Sequence, residues 1–142
     1  MRLNIASDSE AYFKMNKHKL KKDTNIIALE VITDGKLGRE KIKMALDTGA
    51  TYVMIPWEFA EILGYEPEVS RKRIPMITAS GVEKTPVINL DSITVPGKKA
   101  KDIPAVVHDL PQKSYVDGLL GLSYLKNFDT SIYFKKGVLE IK

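Results

Sequence analysis

Apolar residues in this chain fall into short runs of four to nine, each closed by a turn-forming cluster, and that punctuation limits the fold more than any other feature. Asn25 to Thr33 (N-I-I-A-L-E-V-I-T) is β-branched and apolar, D-G-K-L-G follows as a hairpin loop, and Lys41 to Leu46 returns as the partner strand. Ile74 to Thr78, the turn A-S-G and Val82 to Ile88 predict a second hairpin. Leu90 to Val95, P-G-K-K and Ala100 to Val107 predict a third, and S-I-Y-F, K-K-G and V-L-E-I a last one. Two short helices interrupt the series: W-E-F-A-E-I-L, opened by Pro56 and stopped at Gly64, and S-Y-L-K-N-F after G-L-L-G. Many short strands at this spacing predict an all-β protein, a small barrel or sandwich.

The 142 residues fit one domain able to bury a core, and 44% hydrophobic with 28% charged residues is a globular composition. Residues 26–142 carry the strand signals. Residues 1–25 read as an N-terminal arm or helix, with S-D-S-E at Ser7 to Glu10 spaced as a capping box. No apolar run is long enough to cross a bilayer and the N-terminus turns polar too soon for a secretory leader. A cytoplasmic location without membrane contact is therefore expected.

With no cysteine, disulfides, thiolate nucleophiles and thiolate metal ligands are excluded. The net charge of +4 raises the question of an anionic partner. Lysines are interspersed with acids, however, except from Lys14 to Lys22, and no aromatic residue interleaves that run as a stacking platform would. It reads as a solvated basic segment, and no nucleic-acid partner is expected. His18 and His108 are too far apart to make a metal site, and neither a nucleophile elbow nor a phosphate loop is present. No metal and no cofactor are expected.

The chemistry concentrates in K-I-K-M-A-L-D-T-G-A-T-Y-V-M-I-P, where Asp47 stands alone between two apolar segments. Those flanks predict a buried turn, where an ionised carboxylate without a partner would cost about several kcal/mol. Asp47 is then either a structural acid that accepts hydrogen bonds from turn amides or an acid held for proton chemistry.

Downstream lies V-D-G-L-L-G-L-S-Y-L. Together, A-L-D-T-G-A-T and D-G-L-L-G resemble the paired signature of the retropepsin-like aspartic proteases, the single-lobe family that includes retroviral proteases. The resemblance spans most of Ile26 to Ile141 and includes the order of parts: hairpin, D-T-G loop, flap hairpin, apolar-apolar-glycine, short helix, terminal strand. It implies a small closed barrel, a homodimer, and an aspartic endopeptidase that acts on peptide or protein substrates. Asp47 would be the catalytic acid, and Thr48 would lock the two active-site loops across the dimer axis. Gly49 would let the backbone turn its amide towards the acid, and Ala50 would complete the loop. Leu119, Leu120 and Gly121 would form a structural brace behind it. The turn Ala79, Ser80 and Gly81 would be the tip of a flap closing over substrate.

Such enzymes need two carboxylates that share one proton. D-T-S at Asp129 to Ser131 is followed by too few residues for another flap and brace, and reads as the start of an outer strand. The second acid is then expected from Asp47 of another copy. The last strand, V-L-E-I, is expected at or near the interface between copies. Ala50 follows the triplet where pepsin-like enzymes usually carry serine or threonine, so activity is expected to extend towards neutral pH. The alternative is a catalytically inactive dimeric module that kept the fold to bind peptides or serve as a scaffold.

Overall fold

The loop D-G-K-L-G reverses the chain between β2 (Ala28–Asp34) and β3 (Arg39–Leu46), which pair antiparallel from Ala28↔Ala45 to Asp34↔Arg39. Leu29, Val31 and Thr33 of β2 point into the core, and the buried Thr33 hydroxyl is satisfied by donating to the Glu40 carbonyl at 2.9 Å. The coordinates are a computed structural model, and they describe residues 17–21, 23 and 25–142.

After β3 come β4 (Val53–Ile55), α1 (Trp57–Ile62), a 3₁₀ turn (Pro67–Val69), β5 (Arg73–Thr78) and β6 (Gly81–Val95). Then follow β7 (Lys98–Val107), β8 (Gly118–Leu120), α2 (Leu122–Leu125), β9 (Thr130–Tyr133) and β10 (Val138–Ile141). Pro56 stands one place before α1, whose first amide, from Trp57, donates to the Asp109 carboxylate at 3.0 Å.

The order β2-β3-β8-β4-β7-β6 is closed by pairing of β2 with β6, Ile32↔Thr94 to Asp34↔Ser92, so six strands make a barrel. Closure leaves these strands without a free edge. Val31, Ile42, Ile55, Leu90, Ile93 and Leu120 fill the interior at 0% exposure. Each contributes about 1.5–3 kcal/mol by leaving water.

Two sequence expectations need correction. Val82–Ile88 and Leu90–Val95 are one 15-residue strand, β6, which pairs first with β5 and then with β7. Asn89 looked like a break, but it is an exposed residue between buried Ile88 and Leu90, which is ordinary strand alternation. The described part of the N-terminal arm is not helical, and three of its residues are strand. Lys17–Lys19 forms β1, antiparallel to β10 with His18↔Leu139. The S-D-S-E capping box lies outside the described residues.

β1, β10 and β9 make a separate three-stranded sheet whose middle strand sends Leu139 and Ile141 into the main core. Both edges of V-L-E-I are therefore occupied within one chain. An interface interleaved through this strand would have to displace β1 or β9. No described helix is long and apolar enough to cross a membrane.

Candidate active site

The acid sits where β3 leaves the barrel. The Leu46 amide donates to the Ile27 carbonyl at 2.8 Å, and the next amide, that of Asp47, donates to the Leu120 carbonyl at 3.1 Å. β8 runs parallel to β3, with Ala45↔Leu119 and Leu46↔Leu120, and meets β4 on its other side at Met54↔Leu119. The segment Gly118–Leu120 is thus wedged between the strand that enters the Asp47 loop and the strand that leaves it.

The loop is closed by its own hydrogen bonds. The Ala50 amide donates to the Asp47 carbonyl at 3.2 Å, and the Gly49 amide donates to Asp47 Oδ1 at 2.9 Å. From behind, Leu122 N donates to the Ala50 carbonyl at 2.8 Å and Ser123 N to the Thr51 carbonyl at 3.0 Å. Gly121 permits this approach, because a Cβ there would lie 2.3 Å from the Tyr52 carbonyl oxygen and 2.7 Å from that of Ala50. Ser123 fastens the base: its Oγ accepts from the Val53 amide at 2.9 Å and donates to the Pro104 carbonyl at 2.7 Å.

Asp47, Thr48, Gly49 and Ala50 therefore form one loop, tied to Leu119, Leu120 and Gly121 by backbone bonds. The expected burial of that turn is not found in the single chain: Asp47 is half-buried, and Thr48 and Gly49 are exposed. The flanking strands do bury Met44, Ala45, Val53 and Ile55, but the loop between them stays exposed at Thr48 and Gly49 among the described residues. Apolar neighbours in sequence report the burial of the strands, not of the turn between them.

Ala79, Ser80 and Gly81 form the tip of the exposed β5–β6 hairpin, with Thr78↔Gly81 as its last pair. The Ser80 amide donates to Thr78 Oγ1 at 3.3 Å, Thr78 Oγ1 donates to the Gly81 carbonyl at 3.1 Å, and Gly81 takes φ +120°. The tip shares no hydrogen bond with the Asp47 loop. Just behind it, Ile77 and Val82 lie directly opposite one another, 87% and 70% exposed. Sequence reasoning passed over this pair, although I-T-A-S-G-V places them symmetrically about the turn.

The other acid–threonine dipeptide is pinned differently. Asp129 exchanges both backbone bonds with Lys142, at 2.9 and 2.8 Å, and its D-T-S segment opens β9. His18 is half-buried with its Nε2 unbonded, and burial lowers its pKa. Among the described residues, no three histidine, aspartate or glutamate side chains gather as a metal site would require.

The family described as "gag-polyprotein putative aspartyl protease" matches residues 33–127. Among solved structures, a retropepsin-like aspartic protease from Rickettsia conorii superposes with a TM-score of 0.68 at 27% identity, covering 88% of this chain and 87% of its own. The protease of simian foamy virus (mac), solved in solution, gives a TM-score of 0.47 at 24% identity over 70% of this chain and 91% of its own. No curated protein matches the sequence. The matched span runs from the end of β2 to just beyond α2, taking in the Asp47 loop, the hairpin tip and the brace, and the chain belongs to this family of aspartyl proteases with the retropepsin fold.

Proposed function

We propose that the chain is an aspartic endopeptidase that cuts extended peptides as a two-fold symmetric homodimer, with Asp47 of each copy facing the other across the axis. Two carboxylates that close cannot both ionise, so the pair holds one proton between them. The ionised member takes a proton from a water, the protonated member donates to the scissile carbonyl, and the water attacks without a covalent enzyme intermediate. Each copy contributes one acid, one tip and one brace.

The observation that carries this reading is the placement of Asp47. Its backbone is held by Leu120, one carboxylate oxygen accepts from the Gly49 amide, and the loop's outer face is open for a second copy. Accepting from a turn amide is common to a structural and a catalytic acid, so it is the open outer face of the loop that favours the catalytic reading. Thr48 is exposed in the single chain, and a bond from it across the axis would bury both loops together. Ile77 and Val82 supply apolar surface on the hairpin that would close over substrate and exclude water.

The test is cleavage of a mixed peptide library by wild type and Asp47→Asn, from about pH 3 to about pH 8, with sedimentation run alongside. Cleavage that disappears in Asp47→Asn while the dimer persists supports the enzyme. A stable dimer that cuts nothing at any pH would make this a binding or scaffold module, and a chain that stays monomeric while cutting would refute the shared dyad.

A further inference from the structure

A groove of about 280 Å³ lies on the outer side of the β2–β3 hairpin that carries Asp47, and its ionic character is one-sided. Lys19, Lys21 and Lys43 line it together with Glu30, and the Glu30 carboxylate already has a partner in Lys41, 3.6 Å away. No carboxylate of the described residues comes within ion-pair distance of the three groove lysines. Tyr115 forms the far wall. Lys43 Nζ sits 3.6 Å from its ring centroid and Lys21 Nζ donates to its hydroxyl at 3.3 Å. These two cations hold the Tyr115 phenol below its ordinary pKa, a sign of how positive the wall is.

The groove is mechanically part of the acid's own hairpin. Lys43 is four residues before Asp47 on β3, and its backbone carbonyl accepts from the Asp117 amide at 2.8 Å, which fixes the Tyr115 segment against the strand. Ile42 and Met44 are buried and Lys43 between them is not, so Lys43 lies on the outer face of β3, which ends at Leu46, one residue before Asp47. At about 3.3 Å per residue, the two positions are roughly 13 Å apart. An extended peptide covers that distance in about four residues. A second, adjoining groove of about 500 Å³ shares Leu20, Lys21, Ile26 and Ile27 with the first and adds Phe134 and Lys135. The surface thus offers apolar walls between cations.

Resting on the endopeptidase reading above, we propose that this groove is a subsite for an acidic side chain of the bound peptide, aspartate or glutamate, about four residues from the bond to be cut. Lys21 and Lys43 recognise the carboxylate, and Ile26 and Ile27 pack against the neighbouring apolar side chains. A nucleic acid fits the surface less well. Single-stranded nucleic acid wants several open aromatic faces along its path. The ring between the lysines is already capped by an ammonium, which leaves Phe134 of the adjoining groove as the one open face among the lining residues.

The experiment uses fluorogenic peptides that are identical except for glutamate, glutamine or lysine placed in turn at each position. Wild type should cut the glutamate version about fivefold faster in kcat/KM than the glutamine version at one position, about four residues from the cleaved bond. Raising the salt should shrink that advantage. In Lys21→Met/Lys43→Met the ratio of glutamate to glutamine rates should fall to about one. Circular dichroism checks that the variant folds, and the exposed single variant Lys21→Gln serves if it does not.

Binding of the same peptides to Asp47→Asn, read by fluorescence anisotropy, separates the subsite from the chemistry. Glutamate-selective, lysine-dependent binding without any cleavage by wild type would sustain the groove and reject the endopeptidase. Equal binding and equal cutting of glutamate and glutamine peptides would overturn the subsite, as would a glutamate preference that survives the lysine substitutions. Lysine-dependent binding of a single-stranded oligonucleotide in preference to the glutamate peptide would overturn the choice of ligand.

Discussion

The amide of Asp47 donates to the carbonyl of Leu120 at 3.1 Å, so the acid is positioned by a strand that arrives more than half the chain later. One residue on, Gly121 lies flat against the loop's return path, beneath the carbonyls of Ala50 and Tyr52. Geometry at the acid therefore depends on a glycine outside the acid's own loop.

Replacing Gly121 by alanine would drive a methyl group into two backbone carbonyls that cannot swing away, since the Ala50 carbonyl is itself bonded to Leu122. We expect a loss of about 3 kcal/mol, the upper end for overpacking, and a melting temperature lower by roughly 10 °C. Gly38→Ala is the control. A Cβ at Gly38 meets nothing within 4 Å, so its melting temperature should hold within a degree or two. A Gly121→Ala protein as stable as the control would mean that the loop can move off the brace.

Much of this site was legible because its signals are local. D-T-G between two apolar strands, a turn at A-S-G, and two leucines before a glycine each announce a backbone shape within a few residues. What the sequence concealed depends on partners far along the chain. Asp109 caps a helix that starts 52 residues earlier, and β1 exists only because β10 offers it an edge. The Asp47 turn is open rather than buried because the pattern of flanking residues speaks for the strands alone. Asn89 looked like a boundary because a single polar residue within an apolar run has the same appearance at a turn and on the outer face of a strand.

Ile77 and Val82 separate stability from function. At 87% and 70% exposure they contribute little to the folded state, so Ile77→Ser/Val82→Ser should shift the unfolding free energy by no more than about 0.5 kcal/mol. If the hairpin closes over peptide, the same variant should raise KM several-fold and lower kcat/KM by roughly tenfold. Urea titration and steady-state kinetics on one preparation measure both. A large stability loss with unchanged KM would identify the pair as structural.

His18 sets a pH dependence of stability that is independent of catalysis. Burial lowers its pKa from the ordinary 6.5, so the unfolded chain binds its proton more readily than the folded one. Stability is then full above about pH 6.5 and declines as the pH falls from there through the lowered value, by at most about 1.4 kcal/mol per pH unit. Asp34 acts in a different window. Its carboxyl is pulled down chiefly by the hydrogen bond from Arg39, 2.7 Å away, so its contribution is lost only as the pH falls below the ordinary 3.8. Urea midpoints between about pH 5 and about pH 7.5 should therefore slope in wild type and flatten in His18→Phe. A slope that survives this substitution would place the titrating group elsewhere.

Ala50 tests the shared dyad directly. Its amide and carbonyl are both engaged, with Asp47 and Leu122, so Ala50→Ser adds a hydroxyl without freeing the loop. A hydroxyl that donates to an ionised carboxylate stabilises the charged form and lowers the apparent pKa of the pair. In a profile of log kcat/KM against pH, the acidic limb should move downward by up to about one unit, because the ionised member then persists into more acidic solution. Ala50→Gly, which adds no donor, should leave that limb in place. Identical limbs in all three proteins would mean that residue 50 does not face the reacting carboxylates, and the proposed arrangement of the loop about the axis would have to be redrawn.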